Sequence, residues 1–326
     1  MPTVLSYPSL RCVLEFLDAN RRQHVVARTP TLQQTNNSLP INVSNLEFTR
    51  YRLALDSLYI TVSDTKVTWQ KNNARLAWEK RFPVGIDKDG MWKKITKFFL
   101  TEKPKFHVNR LHIFSTESPI VVPSDVSVRA NEMRVDGSFS FNHYLSIVDP
   151  ISLPLKTLYT DVDGESTFDN PVFNTAETLT CRFSPRTQFI PLTKFDKVLS
   201  KNVRIEYVHF WHEKAEELIR HWREVGKEIG TNYVFFKDDK NMITRALSKL
   251  NDIFPEFNNL LEGVDERFIT DSPRFSIPMN STSKIFVYGN VATERGFDHY
   301  ELTVKVTSMD TELECSAKKK PRLTSS

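Results

Sequence analysis

The chain has 326 residues, 40% of them hydrophobic, which is enough to bury a large core and sets aside disorder as a description of the whole. Its formal charge of +4 lies in the last ten residues: removing Lys318, Lys319, Lys320 and Arg322 from the 44 basic residues leaves 40 against 40 acidic ones. A neutral body offers no net attraction to a phosphate backbone, so nucleic acid is not an expected partner. Cys12, Cys181 and Cys315 are few, distant and odd in number, which speaks against a disulfide framework and for a reducing compartment, cytoplasmic or nuclear.

The first residues lack a basic start and place Glu15 and Asp18 among apolar ones, unlike a signal peptide, and no apolar run is long enough for a membrane span. Leu10, Val13, Leu14 and Leu17 recur at helical spacing behind Pro8, which predicts an amphipathic helix. A second helix is expected from about Asn20 to Arg28, stopping before Pro30. Residues 1–38 thus read as a small helical unit. It is either a cap on the apolar edge of the strands beyond it or a docking surface formed by Pro8, Leu10, Val13, Leu14 and Leu17.

From Ile41 the period changes to two. Leu53-Leu55, Leu58-Ile60-Val62 and Val67-Trp69 predict an antiparallel β meander inserted over residues 49–85. Six copies of one phrase frame and succeed it. Each has an apolar residue, two free positions, a large apolar residue, one free position and, in most copies, another apolar residue. They are centred on Leu46, Leu111, Met133, Leu158, Leu179 and Val208, the last five spaced 22, 25, 21 and 29 apart. The phrase resembles the LxxLxL strand of a leucine-rich repeat. The Asn or Cys that closes the turns of regular repeats is replaced by Thr116, Ser138 and Ser184, so an irregular stack is expected.

Helical faces are marked by Met91, Ile95, Phe98 and Phe99, by Leu192, Phe195, Val198 and Leu199, and by Leu218, Ile219, Trp222 and Val225. A last strand at Gly230–Phe236, a helix over Met242–Phe254 and a closing hairpin at Ile285–Tyr288 and Leu302–Val306 complete an α/β body spanning residues 39–308. The fold class expected is therefore α/β, an irregular leucine-rich-repeat-like strand and helix body with an N-terminal helical unit and the inserted meander. Residues 309–326 read as a disordered basic tail whose Lys318, Lys319, Lys320 and Arg322 suit nuclear import.

Catalytic motifs are weak. Asp161-Val-Asp163-Gly164 after a strand resembles the first motif of haloacid-dehalogenase-like phosphotransferases, in which paired carboxylates work around Mg²⁺, but Glu165 stands where that motif takes Thr or Val. Gly85 to Gly90 has P-loop glycine spacing, yet Met91-Trp92 replace the phosphate-gripping Lys-Ser/Thr. His209, His212 and His221 do not reach zincin spacing, because Glu216 stands where histidine is needed. The expectation is a non-enzymatic interaction module without cofactor or metal. Period-two alternation turns the free residue between the last two apolar positions away from the core, which selects Glu47, His112, Arg134, Tyr159, Thr180 and His209 as candidate partner contacts.

Several phrases, in order, resemble the nematode-expanded F-box C family, which joins an F-box-like N-terminus to a domain of unknown function. They include Tyr7-Pro-Ser-Leu-Arg-Cys-Val-Leu-Glu-Phe16, Asp149-Pro-Ile-Ser-Leu-Pro-Leu-Lys-Thr-Leu158, Ala176-Glu-Thr-Leu179, Lys227-Glu-Ile-Gly-Thr231, Val264-Asp-Glu-Arg-Phe268 and Phe275-Ser-Ile-Pro-Met-Asn280. The resemblance implies a substrate-recognition adaptor of a cullin-RING ubiquitin ligase, with a Skp-type adaptor and a protein substrate as partners. Strand pattern begins near Ile41, earlier than a three-helix F-box of about 45 residues would allow, and a recognition module that binds no adaptor is the alternative.

Overall fold

The computed structural model describes residues 7–309 except 72–76, 101–105, 116–118, 121, 123–125, 138–140, 185, 188, 207–210, 238, 258–267, 271 and 295–296. The chain is mixed α/β and divides into two compact units, residues 1–161 and 162–326, at a point where the sequence reading places no boundary.

The first unit opens with helices α1 (Tyr7–Phe16) and α2 (Ala19–Arg28). Asp18 caps α2 by accepting the Arg21 backbone N–H at 2.8 Å. A third, short helix, α3 (Gln33–Asn37), comes after a 3-10 turn at Pro30–Leu32 and is absent from the sequence reading. Its sequence Gln-Gln-Thr-Asn-Asn has no apolar periodicity, so only tertiary packing reveals it. Leu14, Val26 and Leu39 form the small core of these helices, with Leu10, Leu17 and Leu32 packed around it.

Strand β1 (Ile41–Thr49) leads into the expected meander, β2 (Arg52–Leu55), β3 (Leu58–Val62), β4 (Lys66–Lys71) and β5 (Ala77–Arg81), each antiparallel to the one before. Helix α4 (Lys88–Leu100) then carries the chain back to β6 (Phe106–Ser115), which pairs with β1 in parallel, and β7 (Val128–Gly137) and β8 (Thr157–Val162) continue the parallel ladder. The strand order is β8-β7-β6-β1-β2-β3-β4-β5. α4 buries Met91, Trp92, Ile95 and Phe99. Phe98, predicted on the same face, is 46% exposed, because Trp92 and Thr96 turn the buried stripe away from it.

In the ladder the centres of four phrases stand side by side: Leu46 pairs with Leu111, Leu111 with Met133 and Met133 with Leu158. Two free residues between the first apolar positions break strict alternation, and the register accordingly passes over Ser44, Asn109 and Asn131. Val43 and Leu46, or Val108 and Leu111, thereby both reach the core despite their odd spacing.

The second unit contains α5 (Pro171–Thr175), parallel strands β9 (Thr178–Phe183) and β10 (Asn202–Glu206), helix α6 (Trp211–Val225), β11 (Asn232–Lys237) and helix α7 (Lys240–Ile253). Strands β12 (Phe275–Pro278), β13 (Ser283–Glu294) and β14 (Phe297–Ser308) complete it. The order is β12-β13-β14-β11-β10-β9, with β14 antiparallel to β11. Its core is aromatic: Phe168, Phe195, Tyr233 and Trp222 meet edge to face with centroids 5.0 to 5.6 Å apart. The segment at Leu192–Lys197 is a 3-10 helix, and Leu199 and Val225 leave their predicted apolar faces, at 72% and 67% exposure, because each lies at or beyond the end of its helix.

The sixth phrase is corrected. Leu179 pairs with Val203 and Cys181 with Ile205, so Val203-Arg-Ile205 is the next strand core and Val208 lies outside the described residues. The predicted tail beyond Met309 also lies outside them. Among the described residues no helix is long and apolar enough to cross a membrane.

Candidate recognition surface

Parallel register converts four sequence-selected residues into one row. Glu47 lies opposite His112, His112 opposite Arg134 and Arg134 opposite Tyr159, on the face turned from the core of the first unit. The row is held by its own contacts. His112 Nδ1 is 3.6 Å from Glu47 Oε2 and His112 Nε2 is 2.7 Å from Asp136 Oδ2. Arg134 donates to both oxygens of Asp136, at 2.5 and 3.3 Å, while its guanidinium lies 4.0 Å from the centre of the Tyr159 ring. Arg52 reaches Glu47 at 3.3 Å, and Arg110 and Glu132 form a second pair at 3.0 Å one step along the strands.

Glu47 and Asp136 are interleaved with Arg52, His112 and Arg134, so these contacts preorganise the polar groups of this face. Sequence reasoning missed Asp136, the residue that ties His112 to Arg134. Period two from Arg134 would have found it, since 134 and 136 share a face.

Thr180 belongs to the second unit. Its register partner is Arg204, whose own partner is Val234, whereas His209 lies outside the described residues. Arg204 repeats the arrangement around Arg134: its guanidinium is 3.9 Å from the Phe236 ring centre, with Glu206 at 3.2 Å and Glu301 at 3.6 Å. The signal available in the sequence was Ser200-Lys-Asn-Val203-Arg-Ile205, which keeps the phrase spacing with a small polar residue in the first place.

The N-terminal candidates separate. Pro8 and Val13 are exposed and Leu10 and Leu17 half-buried, but Leu14 is only 1% exposed, packed on Val26 and Leu39. Leu14 therefore holds the helices together and presents nothing to solvent. Phe16, outside the predicted stripe, is 88% exposed. Beneath these helices Arg22 is buried and donates to Asn36 Oδ1 (2.7 Å), Asn36 O (2.9 Å), Leu39 O (2.8 Å) and Pro40 O (2.6 Å), fastening α2 and α3 to the start of β1. Burial pushes its guanidinium below the ordinary range, with the Glu15 carboxylate acting the other way.

A depression of about 520 Å³ opens in the first unit where the register passes over its three residues. Asn42, Ser44, His107, Asn109, Arg129 and Asn131 contribute to its lining. Asn131 donates to Asn109 at 3.1 Å, and Arg129 reaches Asp149 at 3.4 Å.

The weak chemical motifs take ordinary places. Asp161 sits half-buried on β8 and Asp163 is exposed, its backbone N–H donating to Thr167 Oγ1 at 3.3 Å. Gly90, at the end of the P-loop-like spacing, gives its N–H to Asp87 Oδ1 at 2.8 Å as α4 starts. On α6, His212 lies 3.2 Å from Lys249 Nζ. Burial and then Lys249 lower its pKa, so its ring is an acceptor for the ammonium. His221 is 2.5 Å from Asp196. Among the described residues no three His, Cys, Asp or Glu side chains group as metal ligands.

A family profile described as Domain of unknown function (DUF3557) matches residues 88–237, from α4 to β11 and less than half of the chain. Comparison with curated proteins gave no match. Comparison with solved structures gave none either.

Proposed function

We propose that the chain is a non-enzymatic protein-recognition module of the F-box C type, serving as substrate-recognition adaptor of a cullin-RING ubiquitin ligase. The N-terminal helices take a Skp-type adaptor. The polar sheet face around Arg134 in the first unit takes a protein substrate, and the mechanism is proximity, with no reacting group supplied by the chain. The four phrases in register favour a leucine-rich-repeat-like reading of the parallel strands.

The observation that carries the reading is the exposure of Phe16 and Val13 on α1, above a helical unit that Arg22 fastens in place. An aromatic side chain left in water on a short, anchored helix suits helix-to-helix docking. A third helix, α3, also brings the N-terminal unit nearer to the three-helix F-box pattern than the sequence suggested.

The test is co-purification with a panel of Skp-type adaptors, comparing the native chain with a Val13→Asp, Phe16→Asp double variant. Both positions are exposed, so thermal unfolding should be unchanged, which Leu14→Asp would not permit. Stable binding lost in the variant is the expected result. Failure of every adaptor to bind the native chain refutes the ligase reading and leaves a recognition module with another partner.

A further inference from the structure

One cross-strand row leaves the core of the first unit and runs off its edge. Phe48, Leu53, Ile60, Trp69 and Trp78 pair in succession across β1 to β5. Cross-strand partners share a face, so these side chains form one continuous apolar line. Phe48, Leu53 and Ile60 are fully buried, Trp69 is half-buried and Trp78 is 77% exposed. Strand β5 is exposed at all five positions, and the strand order ends with it.

The hydrogen-bond phase of that edge is set by one contact. The Phe82 N–H donates to Thr65 O at 2.9 Å, which continues the β4–β5 register by one residue. Antiparallel pairs alternate between bonded and non-bonded, so Trp78 and Lys80 bond inward to β4. Ala77, Glu79 and Arg81 then point their backbone N–H and C=O groups outward, where among the described residues no strand meets them.

We propose that β5 is a strand-addition site for an extended acidic segment of a partner protein, with an apolar residue set against Trp78. Charge selects the occupant. Lys80 and Arg81 are exposed and form no ion pair among the described residues, while Glu79 is already held by Lys66 at 2.7 Å. Lysines and arginines on an edge deter indiscriminate pairing, and here they admit a strand bearing carboxylates. A second copy of β5 fits poorly, because antiparallel pairing over all five residues opposes Glu79 to itself. This site is separate from the N-terminal helices, and its test uses no adaptor.

The probe is a fluorescein-labelled nonapeptide with a central Val-Phe-Val and Asp or Glu at the six remaining positions, so that Phe opposes Trp78 while carboxylates oppose both Lys80 and Arg81, read by anisotropy against the same peptide with Lys at every acidic position. The native chain should bind the acidic peptide at least about tenfold more tightly than the basic one. Glu79→Pro, compared with Glu79→Ala, which likewise gives up the exposed Lys66 pair, removes an outward N–H and leaves the β4 backbone ladder in place, and Lys80→Glu with Arg81→Glu keeps every backbone bond. Glu79→Pro and the double variant should each weaken the acidic peptide by about tenfold or more while thermal unfolding stays as in the native chain. Equal binding of the two peptides, or native affinity in Glu79→Pro, overturns the proposal. So does light scattering that finds a native dimer dissolved by Glu79→Pro, which would assign the edge to a second copy.

Discussion

Replacing Arg22 by Met keeps most of the buried side-chain volume and removes every donor. Four acceptors then lose the guanidinium, Asn36 Oδ1, Asn36 O, Leu39 O and Pro40 O, although Asn36 O keeps the Leu39 N–H. Hydrogen bonds from a charged donor contribute about 1.5 kcal/mol each at the low end, which gives about 6 kcal/mol in total. Removing the desolvation cost of a buried guanidinium returns a few kcal/mol, so the expected net loss is about 3 kcal/mol, confined to the N-terminal helices and their junction with β1. Hydrogen exchange reads this directly through the amides of Thr29, Ser38 and Leu39, which donate to Val26 O, Thr35 O and Asn36 O. A local loss of about 3 kcal/mol accelerates their exchange by about two orders of magnitude. Arg22→Lys should fall between, because an ammonium cannot span acceptors as the planar fork does. An acceleration below about tenfold in Arg22→Met would show that the four bonds do not hold these helices.

Gly289 lies beneath α7, and a Cβ there would come within 2.9 Å of both Ile269 Cδ1 and Leu247 Cδ1. Gly289→Val is expected to destabilise the second unit by about 1–3 kcal/mol in urea unfolding, and a native midpoint would refute the close approach. The Tyr233 hydroxyl is buried without a hydrogen-bond partner among the described residues, so Tyr233→Phe should leave stability unchanged or raise it by about 1 kcal/mol. A loss above about 1 kcal/mol would reveal a bond to that hydroxyl. Burial, with the Glu206 carboxylate second, raises the Cys181 thiol well above its ordinary value of 9.0, and burial raises Tyr233 as well. Both groups keep their proton in the folded state, whereas in the unfolded chain each loses it once pH passes its ordinary value, 9.0 for the thiol and 10.0 for the phenol. Their contribution is therefore full below pH 9 and declines as pH rises further, which alkaline unfolding curves should show. In iodoacetamide labelling at pH 8, exposed Cys12 should react in the native chain and Cys181 only after denaturant is added. Equal rates would contradict the burial of Cys181.

Much of the strand system was legible because burial imposes a period. Val43, Leu46 and Phe48, and the equivalent trios through Cys181, are buried as the repeated phrase required, and the meander between β1 and β6 reflects strict alternation in Leu58-Ile60-Val62 and Val67-Trp69. The same alternation turned Glu47, His112, Arg134 and Tyr159 to one face. Their sequence separations alone could not say that they form one row, because adjacency across strands is set by register.

Register also decided the sixth strand. Val203-Arg-Ile205 and Val208-His-Phe210 satisfy the same local pattern, and only pairing with Leu179 and Cys181 chooses the former, bringing Arg204 to the place given to His209. Tertiary contacts likewise chose α3, whose polar sequence carries no periodic signal, and turned Leu14 inward and Phe16 outward on a helix where both are apolar. The sequence by itself determined which residues must leave water and the period at which they recur, since hydrophobic burial is a property of each side chain. Which apolar residue finds a neighbour, and which edge or aromatic ring is left without one, depends on distances between chain segments, and only the tertiary structure decided that.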